Sequence, residues 1–300
     1  MTNNVAQKIV EETAQKFISM LEESKGKGKW IKPFFNDSKP AVNVESKKAY
    51  RGFNFVLLSF IQEEKGYTSN KWGTFDQWKK VKRFVKKGEK ATGIIFWKQV
   101  KITLDEKDEN GEDIERLIPF MRYYYVFNEC QLQDYVPEQI DAEPIDENIL
   151  NKINLFKDNY LDRIGAVYTE GHGHACYIPS RDVIELPSVS QYNRDMLEEY
   201  IPTACHETVH WSGAKSRLNR DLTGRFGSES YAFEELIADI GAGFVSAEYG
   251  HQYMFSNNNL KYLESWIKIL QDKPKTIITA CSMAQKAADY LLKLASHDED

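Results

Sequence analysis

The chain has 300 residues, of which 42% are hydrophobic and 28% are charged, and its formal net charge is −6. This length predicts two globular domains, and the apolar content excludes an intrinsically disordered chain. No apolar stretch approaches the roughly 18 residues of a membrane helix, and the N-terminus lacks the pattern of a secretory signal. The four cysteines form no C-x-x-C pair, which fits reduced thiols. We therefore expect a cytoplasmic protein without a membrane partner.

The net charge conceals two halves of opposite sign. Residues 1–136 carry 24 Lys and Arg against 19 Asp and Glu, whereas residues 137–300 carry 15 against 26. Within the first half, residues 25–101 alone hold 19 basic and 6 acidic side chains. The acidic, proline-containing segment 136–148 is typical of an exposed connector. We expect two domains, 1–136 and 137–300.

The N-terminal half is predicted to begin with helices and to end in a β-hairpin. Helical periodicity is found over residues 5–21, 52–66 and 74–91. The last of these helices is expected to carry a basic face. Residues 93–104 and 115–130 are rich in β-branched and aromatic side chains, and Asn110-Gly111 between them favours a tight turn. This domain is therefore predicted to be α+β, with helices on an antiparallel sheet.

The C-terminal half is predicted to be mainly helical with a small sheet. A helix over residues 149–162 precedes the segment 173–187, which is typical of two short strands joined by a turn. Further helices are predicted over residues 194–199, 201–211, 231–249, 258–271 and 275–295.

The strongest chemical signal is the segment His206-Glu207-Thr208-Val209-His210. Residues four apart share one face of a helix, so both imidazoles can reach the same cation, while Glu207 leans toward the open coordination position. The alternative is a surface helix end whose histidines bind nothing. The apolar residues before and within the motif disfavour that alternative.

A catalytic zinc typically has three protein ligands, so a third donor is expected on another element. Glu235 and Asp239 lie four residues apart on a second apolar helix. This spacing predicts Glu235 as a ligand and Asp239 as the partner that fixes the tautomer of a ligand histidine. Glu234 is the alternative ligand. The helix-weakening Gly241 and Gly243 indicate that another helix approaches closely.

Such a site predicts Zn²⁺ as the cofactor, with Mn²⁺ as the alternative, and Glu207 as general base in amide hydrolysis. The donor that stabilises the oxyanion is not determined by the sequence. Tyr231, His251 and His174 are candidates by chemistry alone, and each also suits a structural or surface role. His172 and His174 flank a glycine, and the pattern there favours a surface role over a second metal site.

The N-terminal half interleaves basic and aromatic side chains, the two ingredients of a surface that binds single-stranded DNA without sequence preference. The alternative is a purely structural role, in which the aromatic side chains form a core and the lysines form a solvated face. The density of positive charge favours the DNA interpretation. The residues expected to bind DNA are Trp30, Lys32, Tyr50, Arg51, Asn54, Trp72, Lys79, Lys80, Lys82, Arg83, Lys86 and Lys87.

Several segments resemble one known family. The first domain, through WIKPFF, YRGFNFVLL, KWGTFDQWKK, VKKGEKATGIIFW and YVFNECQLQ, resembles the single-stranded DNA-binding domain of ArdC-type antirestriction proteins, which also occurs in plasmid TraC-type primases. The second, through YIPSRDVIELP, HETVHWSGAKSRLNR and FGSESYAFEELIADIG, is similar to the zincin metallopeptidase domain of that family. The resemblance covers roughly residues 5–250.

The resemblance implies a protein of a plasmid, phage or other mobile element that binds single-stranded DNA and shields incoming DNA from host restriction. It also implies that His206, His210 and Glu235 hold the metal and that Glu207 carries the catalysis. Two positions depart from the family pattern, Thr208 inside the motif and Asp239 where the family often has glutamate. Neither departure removes a ligand.

Three functional hypotheses remain open from the sequence. In the first, an active peptidase removes a host defence or restriction protein that is held near the DNA. In the second, the metal is structural and the protein protects the strand by coating it. In the third, the acidic half mimics DNA, but its charge is modest and unpatterned, which makes this hypothesis the weakest.

Overall fold

The computed structural model describes residues 2–25, 40–107, 113–137, 149–191, 197, 199–225, 228–249 and 262–296. The N-terminal half comprises α1 (Thr2–Lys25), β1 (Val42–Asn43), α2 (Phe53–Lys65), β2 (Lys71–Gly73), α3 (Phe75–Lys80), β3 (Thr92–Lys107) and β4 (Asp113–Asn128). The C-terminal half comprises α4 (Ile149–Phe156), β5 (Val167–Glu170), β6 (Cys176–Ile178), β7 (Val183–Leu186), α5 (Tyr200–Ser212), α6 (Glu229–Glu248), α7 (Leu263–Asp272) and α8 (Thr276–Ser296). The predicted α+β architecture is confirmed.

The N-terminal sheet has the strand order β1-β2-β4-β3. The predicted hairpin is present as the antiparallel pair β3–β4, whose register runs from Thr92 opposite Val126 to Lys107 opposite Asp113. Its predicted Asn110-Gly111 turn lies outside the described residues. One edge of the sheet departs from the expected antiparallel arrangement, because β1 pairs with β2 in the parallel direction. The sheet is therefore mixed.

The basic helix predicted over residues 74–91 is much shorter in the structure. Thr74 and Gln77 form a reciprocal capping box that starts α3, but the helix ends at Lys80. Lys82 adopts a positive φ of 60°, a left-handed conformation that stops helix propagation. The chain then turns back, so that Val85 forms a bridge with Leu132. Residues 81–91 are consequently irregular.

The C-terminal sheet has the order β5-β7-β6, with β5 parallel and β6 antiparallel to β7. The predicted strands β6 and β7 are present, whereas β5 was not anticipated. The helix predicted over 149–162 is α4 followed by a π-helical turn, Lys157–Leu161. Most of the helix predicted over 194–199, and residues 258–261 of another, lie outside the described residues.

Helices α5, α6 and α8 pack against one another. At the contact between α5 and α6, a Cβ added to Gly241 would lie only 3.0 and 3.1 Å from the two methyl carbons of Val209. The close helix approach expected at Gly241 is therefore present. It brings the segment of α5 that carries the histidines directly against the acidic segment of α6.

The two halves of the chain share one large core. Buried residues from both halves belong to the same apolar cluster, and α1 and α2 contact helices of the C-terminal half. Arg51 also pairs with Asp289, and the Gly52 amide donates to Gln285 Oε1 at 2.8 Å. Across the described ranges, no helix combines the length and apolarity needed to cross a membrane. The division at residue 136 stays a prediction.

Candidate metal centre and nucleic-acid surface

Helix α5 presents His206 and His210 to the same point. Their Nε2 atoms lie 3.0 Å apart, as expected for residues one turn apart on a helix face. His206 is buried and His210 is half-buried. Two imidazole nitrogens at this separation, both largely shielded from bulk water, can bind the same metal ion.

Helix α6 supplies a carboxylate to the same point. Glu235 places Oε2 at 3.5 Å from His206 Nε2 and Oε1 at 3.5 Å from His210 Nε2. The donor atoms of the three residues all lie within 4.8 Å of one another. The structure thus brings together the three ligands expected from the sequence, and the packing of α5 against α6 is what joins them.

Each histidine is also held from behind by a carboxylate. Asp239 Oδ1 lies 2.9 Å from His206 Nδ1, and Glu234 Oε1 lies 3.2 Å from His210 Nδ1. When Nδ1 donates its hydrogen to a carboxylate, the lone pair of the ring is left on Nε2. Both Nε2 lone pairs then point at the shared position, an arrangement that suits a cation. The residues present therefore fit a divalent metal.

Glu234 was the alternative metal ligand, but the structure places it elsewhere. Its carboxylate lies on the Nδ1 side of His210 and accepts from Arg220 Nε at 2.9 Å and Nη2 at 2.8 Å. Arg220 in turn donates to the carbonyl of Val209 at 2.6 Å and to Ser212 Oγ at 3.0 Å. Glu234 therefore orients His210 and anchors the end of α5. The role of Arg220 was missed in the sequence, because its partners are remote in the chain.

The site is strongly electrostatic. Burial raises the pKa of Glu235, but hydrogen bonding to His206 and the nearby imidazoles outweigh it and lower the pKa to about 2. Burial lowers the pKa of His206, yet Asp239, Glu235 and Glu207 reverse this and hold it well above the ordinary value. The carboxylates around the two imidazoles thus create a strong preference for positive charge at their centre.

Glu207 points from α5 toward the small sheet. Its Oε2 accepts the backbone N–H of Tyr177 at 2.8 Å. Tyr177 belongs to β6, and among the described residues the only strand paired with β6 is β7. The amide that reaches Glu207 is therefore on the side of β6 that faces away from β7. The edge of the sheet therefore borders the candidate centre. This contact was not foreseen, because it joins a backbone group to a side chain thirty positions away.

Of the three residues considered for stabilising the oxyanion, the structure places one, Tyr231, beside the candidate centre. Hydrogen bonding joins the Tyr231 side chain to Glu235 and to Tyr262, and burial raises the pKa of Tyr231 to about 12. Its hydroxyl is thus protonated at neutral pH and lies beside the candidate centre. His174 lies with Cys176 and Glu185 instead, and His251 lies outside the described residues. Tyr231 remains the candidate.

Two of the residues expected to bind DNA are instead buried or hydrogen-bonded within the protein. Trp72 is fully buried at 0% exposure, so the expectation that bases stack on it is wrong, because neither ring face can be reached. The Asn54 side chain donates to the carbonyl of Ile95 at 2.6 Å and accepts its amide at 3.1 Å. Asn54 therefore links α2 to β3 instead of binding DNA as expected. Trp30 and Lys32 lie outside the described residues.

Other members of the predicted set form ion pairs within the protein. Arg83 pairs with Glu129 and with Asp134 and lies 5.6 Å from the ring centre of Trp78. Lys80 pairs with Glu45 at 2.7 Å. Arg51 pairs with Asp289 as described above, and half-buried Tyr50 accepts from Asn43 Nδ2 at 3.0 Å. A phosphate would have to compete for these side chains.

The exposed charge is concentrated in a basic segment, residues 75–87. All five of its lysines are exposed. Lys80 pairs with Glu45, and the other four are Lys79, Lys82, Lys86 and Lys87. The same segment exposes two aromatic rings, Phe75 at 54% and Phe84 at 51%. These phenylalanines were missed in the sequence because exposure of an aromatic residue is decided by packing. Phe96, Tyr124 and Tyr125 on the neighbouring hairpin are also exposed.

Comparison with known proteins agrees with this two-part structure. Residues 7–127 match the family of the N-terminal domain of anti-restriction factor ArdC, and residues 157–283 match a family of zincin-like metallopeptidases. The chain is 34% identical over 254 residues to an uncharacterised protein of Sinorhizobium fredii, y4eC, covering 83% of this chain and 80% of that protein. It is also 34% identical over 297 residues to the Escherichia coli DNA primase TraC, but spans only 20% of it.

Two solved structures share the fold over almost the full length. The metal-free antirestriction ArdC protein of plasmid R388 superposes with a TM-score of 0.74 at 31% identity, covering 97% of this chain and 99% of that one. The Mn(II)-bound form of the same protein gives a TM-score of 0.70 at 29% identity. The fold therefore defines an ArdC-type N-terminal domain joined to a zincin-like domain. The chain belongs to the ArdC-type antirestriction family.

Proposed function

We propose that this chain protects the DNA of a mobile element by binding single-stranded DNA with residues 1–136, and that residues 137–300 form a zinc-dependent peptidase. The observation that carries the peptidase proposal is the convergence of both Nε2 atoms and the Glu235 carboxylate within 4.8 Å. The two histidines are fixed from behind by Asp239 and Glu234. The fold and family support the combination of the two activities in one chain.

His206, His210 and Glu235 are the residues that would hold the cation. Two imidazoles and one carboxylate are a donor set that Zn²⁺ favours, with a further coordination position left for substrate. Mn²⁺ is the alternative, because the related R388 protein has an Mn(II)-bound structure. A cation held there supplies Lewis acidity, which polarises a carbonyl and makes a nearby water more acidic.

The side chains around the centre divide the remaining tasks. Glu207, oriented by the Tyr177 amide, accepts the proton of the attacking water as general base. Tyr231, protonated and hydrogen-bonded beside Glu235, donates to the developing oxyanion. In the part of the chain that the structure describes, no strand pairs with the edge of β6 that faces away from β7. We propose that an extended peptide binds to this edge as a further strand. The substrate is thus proposed to be an extended protein segment, such as part of a host defence or restriction protein.

The second candidate function is a strand-coating protein in which the metal is structural. The observation that favours it is the position of the centre, between two helices of the shared core, where a cation would fasten α5 to α6. Both candidates need the same ligands. They differ in whether Glu207 is needed for protection.

Glu207→Ala is the substitution that separates the two functions. The variant is expected to lose peptide cleavage while it retains metal and single-stranded DNA binding, because Glu207 is not among the proposed ligands. Cleavage, metal content and protection of incoming DNA against a restricting host are measured on the same preparation. Glu229→Ala, at an exposed position that starts α6, serves as the control. Full protection by Glu207→Ala would overturn the proteolytic proposal and support strand coating.

A further inference from the structure

A second group of metal-binding side chains lies on the small sheet, apart from the three ligands of the main centre. His174, Cys176 and Glu185 each offer one donor atom, and these atoms lie within 4.8 Å of one another. Among the described residues, this is the one other such group besides His206, His210 and Glu235. It includes a thiol, which the main centre lacks.

The register of the sheet explains why these residues meet. Cys176 in β6 is the direct partner of Glu185 in β7, and residues directly opposite in an antiparallel pair project to the same face. Cys176 Sγ lies 4.0 Å from Glu185 Oε2. His174, two positions before Cys176, brings its imidazole to that face. The three donors thus come from one short β-hairpin.

The neighbours of Glu185 leave one oxygen directed at the thiol. Arg181 pairs with Oε1, and His172 Nδ1 lies 3.5 Å from Oε2. His172 is held on its other side, with Nε2 at 2.9 Å from Thr169 Oγ1. Arg181 can therefore keep its bond to Oε1 while Oε2 turns to a cation shared with Cys176 and His174.

We propose that His174, Cys176 and Glu185 form a second site for a thiophilic divalent cation of the Zn²⁺ class. Thiolate, imidazole and carboxylate are the three ligand types that Zn²⁺ accepts, and the thiolate selects against hard cations such as Mg²⁺. Zinc–ligand bonds of about 2.0–2.3 Å at tetrahedral angles place donors about 3.3–3.5 Å apart. The 4.0 Å between Sγ and Oε2 needs only a small rotation of the two side chains.

The surroundings give this site a character different from the main centre. His174 is exposed, and Cys176 and Glu185 are half-buried, so a cation held by these residues would stay accessible to water. The site also adjoins the main centre through the chain, since the next residue, Tyr177, donates its amide to Glu207. The proposal does not depend on peptidase activity.

Cobalt titration of the full-length protein tests the proposal. Co²⁺ bound by a thiolate gives a sulfur-to-metal charge-transfer absorption, which a site of two histidines and a glutamate cannot produce. The titration is done with a non-thiol reductant after the free thiols have been counted. We expect the band in wild-type protein and in His206→Ala/His210→Ala, and its loss in Cys176→Ser. Cys130→Ser, which removes a half-buried cysteine outside the group, is the matched control and should keep the band.

A second variant shows whether the Co²⁺ band is lost because a ligand is removed or because the protein misfolds. His174→Ala changes an exposed side chain. It removes one of the three donors, so it is expected to weaken Co²⁺ and Zn²⁺ binding at this site by more than the roughly 10-fold that loss of a partner behind a ligand costs. Absence of the band in wild-type protein with all thiols reduced, its survival in Cys176→Ser, or unchanged affinity in His174→Ala would each overturn the second site.

Discussion

His206 and His210 each use both ring nitrogens, and this double use defines the chemistry of the centre. Nε2 of each ring faces the common position, while Asp239 and Glu234 hold the Nδ1 atoms. A carboxylate behind the imidazole fixes the ring and makes Nε2 a better donor. Asp239 is fully buried, and its side chain, shorter than the glutamate common in the family, still reaches His206.

Asp239→Asn is expected to lower metal affinity about 10- to 100-fold. The amide can still accept a hydrogen bond from Nδ1, but it lacks the charge that makes His206 a strong ligand. Competition against a chromophoric chelator measures the affinity. Asp272→Asn, an exposed position at the end of α7, is the control. An unchanged affinity in Asp239→Asn would contradict the role assigned to Asp239.

Gly241 is the second residue on which the centre depends. Gly241→Ala is expected to destabilise the protein by about 1–3 kcal/mol, because the new methyl meets both Val209 methyls and a β-branched side chain in a helix cannot rotate away. Alanine otherwise favours a helix by roughly 0.5–1 kcal/mol over glycine, so a loss of stability isolates the steric cost. Urea unfolding of the two single variants and of Gly241→Ala/Val209→Ala completes a double-mutant cycle. If the changes in unfolding free energy of the two single variants add up to that of the double variant, the new methyl does not clash with Val209.

At the scale of elements, the aromatic side chains of the basic segment differ in burial, and this difference decides which of them can contact DNA. Trp78 on α3 is fully buried, and its indole N–H donates to the carbonyl of Phe127 at 3.0 Å. That bond ties the segment to β4 and leaves Phe75 and Phe84 exposed. We therefore propose that DNA bases stack on the exposed rings of Phe75 and Phe84.

Lysines and phenylalanines of the basic segment should affect DNA binding in different ways. Changing Lys79, Lys82, Lys86 and Lys87 to Gln is expected to flatten the salt dependence of oligonucleotide affinity, by about 0.7 in slope for each phosphate that the variant no longer neutralises. Changing Phe75 and Phe84 to Ala is expected to cost about 1–3 kcal/mol per stacked base with the slope unchanged.

The matched control for the lysine variant neutralises four exposed lysines of the other half, Lys152, Lys268, Lys273 and Lys275. Fluorescence anisotropy with a labelled single strand at several salt concentrations gives both the affinity and the slope. Equal slopes for the two lysine variants would place the DNA elsewhere, and full affinity in the phenylalanine variant would exclude stacking on this segment.

At the scale of the whole molecule, the proposed metal position lies between two helices of a core that both halves share. A cation that binds only the folded state stabilises it, by about 2.7 kcal/mol when its concentration is 100 times the dissociation constant. Because α5 and α6 both pack on α8, and α2 also contacts α8, loosening the centre affects the common core.

Chelation is therefore expected to lower the melting temperature of the intact protein. Glu235→Gln should melt like chelator-treated wild-type protein and should respond little to added metal, because one of three ligands is gone. Differential scanning calorimetry with and without metal measures the shift. Glu248→Gln, exposed at the end of the same helix, should behave as wild type. An equal metal response in Glu235→Gln would remove Glu235 from the ligand set.

The sequence by itself determined what depends on short spacing. His206, Glu207 and His210, and likewise Glu235 and Asp239, take their relative positions from the pitch of one helix, and the β3–β4 hairpin follows from alternating residues around a turn signal. Tertiary structure alone decided which of several similar side chains are accessible or paired. It buried Trp72, paired Glu234 with Arg220, and joined the Tyr177 amide to Glu207. Such contacts depend on how distant elements pack, and no local pattern in the chain encodes that packing.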